Sequence, residues 1–325
     1  MTRAGPDVQT WPRRLASHLE LTSGVVTTAQ ANQLGVSPRQ LRRLVASRQL
    51  TRVGAGVYLD SARLRTQFEE QAHAARARAL ASTRHDLALS HQSAGAVLGL
   101  PWVGALPTRV HFTRIGAGQH RRSRHATVHP AYPDARFVRV QGVRTVEVAL
   151  VMLGVAERHA MEEVIVVGDA ALQRGLVTVE RIQSVIAACH HRPGVGLLAA
   201  ALPKLDARTE SPGESLARLG MWTLGYDAEP QVKIKLPDGS FARVDFLLRE
   251  YGIVVEFDGR VKYEGDGLRS GAQALMDEKV REDQLRSLGY VVVRLTWRDV
   301  RDPERLRRVL DDAVRAATSR RTAVR

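Results

Sequence analysis

The apolar positions of residues 12–60 first follow a helical period and then alternate. This stretch therefore predicts three helices followed by a β-hairpin. Thr27 to Leu34 predicts a short helix that Thr27 or Thr28 can cap, and Gly35-Val36 supplies a turn. Ser37-Pro38 then opens a second helix, with serine as N-cap and proline in the first helical position. In that helix Leu41, Leu44 and Val45 share one face and predict the inward side. Leu50–Val53 and Val57–Leu59 alternate around Gly54-Ala-Gly56, which predicts the hairpin.

Residues 64–200 mix the two periods. Leu64 to Ser82 predicts one helix with Phe68, Ala72, Ala75 and Ala79 along a face, and Leu87 to Leu100 predicts a strand running into a short helix. A Pro/Gly-rich polar segment, 203–213, reads as a linker. After it, 211–318 reads helix, three strands, long helix, strand, helix. The expected class is α/β (α+β) and multidomain, divided as 1–62, 63–203 and 204–325.

Composition adds little to this until charge is located. With 44% hydrophobic and 25% charged residues, the chain of 325 can bury an ordinary globular core. No run of about 18 apolar residues predicts a membrane span, and the N-terminus lacks a secretory signal's apolar stretch. Cys189, the sole cysteine, excludes an internal disulfide and fits a reducing cytoplasm. The net charge of +14 is concentrated in residues 1–210, with 27 Lys+Arg against 15 Asp+Glu; residues 211–325 carry 21 against 19. A polyanion is therefore expected to bind N-terminally.

The side chains of the second short helix make that expectation specific. Arg39, Gln40, Arg42 and Arg43 project away from its apolar face, as a helix in a DNA major groove requires, and Arg52 on the hairpin can reach a phosphate. The run TTAQANQLGVSPRQLRRLVASRQLTRVGAGVYL resembles the winged-helix domain of abortive-infection (AbiEi-type) antitoxins. That resemblance implies DNA as partner and allows for a toxin protein as another. The stretch LSHQSAGAVLGL resembles the segment following the winged helix in the same proteins, where it belongs to the fold.

In the middle block Ser90, His91 and Ser93 read as a helix cap and its neighbours rather than as a nucleophile with its base. His111, His120, His125 and His129 match no standard zinc spacing and read as a solvated basic loop. Cys189 reads as a small buried hydrophobe.

Candidate chemistry lies further on. Phe241–Leu248 and Ile253–Asp258 predict apolar strands carrying Asp245, Glu256 and Asp258; the last two, being two residues apart, share a face. Carboxylates in such strands are costly unless paired. A divalent cation held by oxygen ligands relieves the cost, as would an ion pair with Arg243 or Arg294.

Asp245, ten residues, then Glu256-Phe-Asp258-Gly259, followed by DEKVREDQLRSLGYVVVRLTW and preceded by SPGES, resembles the DUF559 branch of the PD-(D/E)XK nucleases, near the very short patch repair endonucleases. The resemblance covers about 90 residues. It implies a restriction-endonuclease-like mixed sheet flanked by helices, with Mg²⁺ (or Mn²⁺) on Asp245, Glu256 and Asp258 and Glu214 assisting. Asp258 stands where the wider superfamily has its catalytic lysine, and Lys279 or Lys262 is the candidate replacement. The expected activity is metal-dependent DNA endonuclease. The alternative is a non-catalytic AbiEi-like antitoxin or transcriptional regulator with a degenerate nuclease fold.

Overall fold

The computed structural model describes residues 12–259 and 270–323. The chain forms two compact units, one running to His159 and resuming over Glu180–Ala199, the other made of Ala160–Val179 and the chain from Ala200 onward. Three sheets and numerous helices make it a mixed α/β protein of several parts, as the pattern predicts. No helix among the described residues is long and apolar enough to cross a membrane.

The first unit opens with α1 (Arg13–Leu21), β1 (Val25–Thr27), α2 (Thr28–Gln33), α3 (Pro38–Ala46), β2 (Leu50–Gly54) and β3 (Val57–Asp60). Helices α2 and α3 start at reciprocal caps: the Thr27 and Ser37 hydroxyls each accept a backbone N–H from Gln30 and Gln40, whose side chains bond back to the cap. Leu15, Leu19, Val26, Ala31, Val36, Leu41 and Leu50 close a small core, with Leu44 and Val45 against it. The three strands pair in the order β1-β3-β2.

The helix expected over residues 64–82 is broken. Helix α4 (Ser61–Arg65) ends and α5 (Glu69–Ala81) begins afresh at Phe68, whose extended backbone makes it the N-cap. Phe68 is thereby turned outward, 72% exposed, while Ala72, Ala75 and Ala79 are buried as expected. Then follow β4 (Leu87–Leu89), α6 (His91–Val97), β5 (Val110–Arg114), β6 (Arg121–Arg122), β7 (Ala126–His129), β8 (Phe137–Val140), β9 (Val143–Val146) and α7 (Val148–Ala156). The six strands form one sheet ordered β6-β7-β5-β4-β9-β8. Ser90 stands at the N-cap of α6, yet its hydroxyl makes no cap bond and turns to His91 instead.

Helix α8 (Met161–Gln173) belongs to the second unit; α9 (Val179–Ala188) and most of α10 (Val195–Ala201) return to the first. The second unit continues with α11 (Pro212–Thr223), β10 (Glu229–Lys235), β11 (Phe241–Leu248), β12 (Ile253–Asp258), α12 (Ser270–Ser287), β13 (Val291–Thr296), α13 (Trp297–Val300) and α14 (Pro303–Ala323). Its sheet runs β10-β11-β12-β13, antiparallel until the parallel β12–β13 pair. Phe246, Leu248, Ile253, Val255 and Leu295 pack on α11 and α14 on one face. Val244, Leu247 and Val254 meet Leu285 of α12 on the other.

The polar segment before α11 is tied down rather than loose. Asp169 of α8, fully buried, accepts the Asp206 backbone N–H (2.8 Å) and a guanidinium N–H of Arg218 (2.8 Å).

Candidate functional site

Side chains two apart on a strand share a face, yet Ala242 and Val244 of β11 pack with the α12 layer while Phe246 and Leu248 pack with α11 and α14. The strand changes face at Asp245. Its neighbour in register is Gln231, which takes a left-handed backbone (φ +56°), and both drop out of a ladder that runs on either side of them. On the other edge the β11–β12 ladder ends at the pair Phe246 and Val255. Beyond it an Asp245 carboxylate oxygen takes the Phe257 backbone N–H at 2.8 Å, replacing the missing ladder bond. The fold thus sets Asp245 beside Glu256 at a split between two strands.

Glu214 enters from α11. Ser211 caps that helix through the Glu214 N–H, and one Glu214 oxygen accepts from the Glu210 backbone and from the Gln231 side-chain amide, both at 3.0 Å. Helix α11 approaches the sheet closely because residue 213 is glycine: a Cβ there would lie 1.9 Å from the Phe257 ring.

The three carboxylates sense one another. Burial raises all of them above the ordinary carboxylate range; Asp245 adds to the rise at Glu214 and at Glu256. The Phe257 N–H and the guanidinium of Arg281 oppose the rise at Asp245. Beside Glu214, the Gln231 side-chain oxygen is buried without a partner among the described residues. The result is a cluster of partly buried oxygens whose ionised forms burial disfavours.

The cation that reaches it is Arg281 of α12, which donates to Glu256 (2.8 Å), to Glu278 (2.9 Å) and to the Arg243 carbonyl (3.0 Å). Arg243 is instead paired with Glu210, and Arg294 with Glu278 and Glu282. Lys279, two residues from Arg281 and so roughly on the opposite side of the helix, is exposed. Lys262 lies outside the described residues. Asp258 sits half-buried at the end of β12, in register with Thr296. Trp297 packs edge-on against Phe257 (5.1 Å between centroids).

The second candidate surface is α3 with the β2–β3 hairpin. Arg39, Gln40, Arg42, Arg43 and Arg52 are all exposed; on α3, Arg39 and Arg43 lie roughly opposite buried Leu41 and Gln40 and Arg42 flank it. Gln40 spends its carbonyl oxygen on the Ser37 cap (2.8 Å), so its amide nitrogen is the part left to face outward. Arg52 donates to the carbonyl of Gly54, two residues on in the same strand, at 3.2 Å.

Sequence reasoning missed one cluster. Among the described residues, the only three His, Cys, Asp or Glu side chains whose donor atoms all lie within 4.8 Å of one another are His91, His111 and His129. These histidines are buried, so the solvated basic loop expected there is not what forms; only His120 and its arginine neighbours are exposed. The one signal was the position of His111 and His129 inside apolar, alternating segments.

Residues 13–59 match a family model described as "Transcriptional regulator, AbiEi antitoxin". Two uncharacterized proteins of Mycobacterium tuberculosis, from strains CDC 1551 / Oshkosh and ATCC 25618 / H37Rv, are each 30% identical to the chain over 174 residues. The match spans 53% of this chain and 62% of the relatives' length.

Proposed function

We propose that this protein is a DNA-binding transcriptional regulator of the AbiEi antitoxin kind, with residues 12–60 as its winged helix. The family match over residues 13–59 carries the reading. The exposed Arg39, Arg42 and Arg43 on α3 support it, because a recognition helix needs cations on the side away from its core. Helix α3 enters the major groove, Gln40 offers its amide to a base edge, and Arg52 on the hairpin meets a phosphate. A toxin protein is the second partner this reading implies.

The test is fluorescence anisotropy of the full chain on duplexes selected from a random library, over 50–200 mM salt. Each phosphate neutralised contributes about 0.9 to the slope of log K against log salt. Replacing Arg39, Arg42 and Arg43 together by alanine then flattens the slope by up to about 2.7 and weakens binding at every salt concentration. A triple variant that binds as tightly as wild type refutes the reading.

A second reading, metal-dependent phosphodiester hydrolysis in the second unit, is supported by the neighbouring register positions of Asp245 and Glu256 beside the strand split, where Asp245 raises the pKa of both Glu256 and Glu214. The donor set suits a hard cation: carboxylates from neighbouring strands and the orphaned Gln231 oxygen are the ligands Mg²⁺ or Mn²⁺ takes. Asp245 and Glu256 would hold the ion, with Asp258 at the end of the same strand. A bound ion of this kind polarises a phosphodiester and lowers the pKa of water. Glu214 positions Gln231, and Arg281, released from Glu256, would neutralise a phosphate oxygen. Cleavage of plasmid or nicked DNA that needs Mg²⁺ or Mn²⁺ and disappears in Glu256→Gln supports this reading; DNA binding without cleavage in either metal leaves the regulator alone.

A further inference from the structure

The first unit contains a buried constellation of imidazoles that neither reading uses. His111 on β5 and His129 on β7 stand on adjacent parallel strands, with His111 opposite Thr127 and His129 opposite Thr113. Their ring nitrogens, Nδ1 of His111 and Nε2 of His129, lie 3.1 Å apart. His91, the first residue of α6, completes the group, its ring stacked on that of His129 at 3.9 Å between centroids and 5.3 Å from that of His111. All three are almost fully buried.

The surroundings fix His91 tightly. Its backbone adopts φ +51°, a conformation that L side chains rarely take. Gly154 of α7 lies against its ring so closely that a Cβ there would come within 2.8 Å. Its Nε2 is 3.1 Å from a Glu157 carboxylate oxygen, while the other Glu157 oxygen accepts from Arg192 at 3.2 Å. Next to this group the Tyr132 hydroxyl is buried with no hydrogen-bond partner among the described residues, its ring lying under the Arg192 guanidinium. A buried phenol oxygen without a partner is rare in a native protein.

We propose that His91, His111 and His129 together bind one Zn²⁺-class transition-metal ion. Three buried imidazoles backed by a carboxylate form the ligand set of a three-histidine site, in which the fourth position is filled by solvent or a further oxygen. Imidazole donors select Zn²⁺, Cu²⁺ or Ni²⁺ over the oxygen-seeking Mg²⁺ and Ca²⁺. Burial keeps the rings neutral, the form that ligates. Glu157 orients His91 in the manner of the carboxylates that back metal-bound histidines. Ion binding exchanges the Ser90–His91 and His111–His129 hydrogen bonds and the His91–His129 stack for three bonds to one centre, His91 ligating through Nδ1 while Glu157 keeps Nε2, and His111 and His129 rotating about χ2, a torsion with broad wells. The exposed His120 lies with its ring edge-on to that of His129, 5.6 Å between centroids.

The test uses the full chain, stripped with EDTA and titrated with Zn²⁺ in competition with a chromophoric chelator, and with Co²⁺ as a spectroscopic probe. The expected result is one ion per chain, a Co²⁺ spectrum of four- or five-coordinate nitrogen ligation without a thiolate band, and no competition from millimolar Mg²⁺. His111→Gln with His129→Gln should weaken Zn²⁺ binding at least 100-fold. Should that double variant fail to fold, Glu157→Gln keeps the ligands and should weaken binding 10- to 100-fold. Absence of stoichiometric micromolar binding in wild type, an octahedral Co²⁺ spectrum, or undiminished affinity in the variants overturns the proposal. So does loss of binding on replacing the exposed His190–His191 pair by alanine.

Discussion

Gly213→Ala sets two effects of known size against each other. Alanine is the better helix former, favoured over glycine by about 1 kcal/mol in a helix interior and by less in the first turn, where residue 213 sits. Against this, the added Cβ would stand 1.9 Å from Cε1 and 2.1 Å from Cζ of Phe257, where ordinary contact begins near 3.4 Å. The ring cannot swing aside cheaply, because Trp297 is packed edge-on against it. Helix α11 must therefore move by more than an ångström, and overpacking of this kind costs about 1–3 kcal/mol. Overpacking wins, so the variant should lose about 1–2 kcal/mol net. The same shift draws Glu214 away from Gln231 and Asp245, so any metal-dependent stabilisation of the second unit should weaken with it. Urea unfolding of wild type, Gly213→Ala and Gly213→Ala/Phe257→Leu measures this directly, the double variant recovering most of the loss because the obstructing ring is gone. A Gly213→Ala protein as stable as wild type, or more stable, would show that the helix does not rest on that ring and refute the reasoning.

Asp169→Asn should destabilise the second unit by about 3–5 kcal/mol, since Arg218 is left largely buried without its counter-charge; denaturant melts of the single variant and of Asp169→Leu/Arg218→Met, which should recover, check it. Ser37→Ala removes the hydroxyl that accepts the Gln40 N–H and should cost about 1 kcal/mol, read from the same melts. Burial holds the Asp245 carboxyl above its ordinary value, so the folded state keeps that proton longer than the unfolded chain. The stability it confers is full below the unfolded value of about 3.9 and is lost as pH rises through the folded one. Asp245→Asn should therefore flatten the pH–stability curve above pH ~4 and melt later than wild type at pH 7; parallel curves for the two proteins would contradict the assignment.

What the sequence made readable was local. Ser37-Pro38 and Thr27 announce helix starts because a cap and its partner lie within four residues, and both form as expected. The antiparallel pairing of the strands that carry Asp245 and Glu256 was readable because the turn between them is tight. Arg281 was not readable as their partner: α12 carries seven charged residues from Asp277 to Arg286, and only its tertiary docking selects which one meets the sheet. Nor could alternation foresee that β11 changes face at Asp245, since the cause is a left-handed residue on the neighbouring strand. The histidine cluster was hidden by topology. His111 and His129 meet through a parallel pairing of β5 and β7, and His91 arrives from a helix start 20 residues before His111. The polar segment before α11 read as a linker because its anchor, Asp169, lies 37 residues upstream of Asp206.

The placement of α8 bears on how the protein can be dissected. Its Val164, Ile165 and Val166 are buried, and its Asp169 is bonded to Arg218 and Asp206, all within the second unit, although the first unit resumes after it in sequence. The backbone crosses from one unit to the other three times, so a single proteolytic nick cannot yield two self-sufficient fragments. Truncation at residue 203 would leave an N-terminal piece bearing an orphaned apolar helix, prone to aggregate, and a C-terminal piece missing one of its walls. A recombinant C-terminal fragment should start no later than Ala160 or be supplied with residues 160–179 in trans.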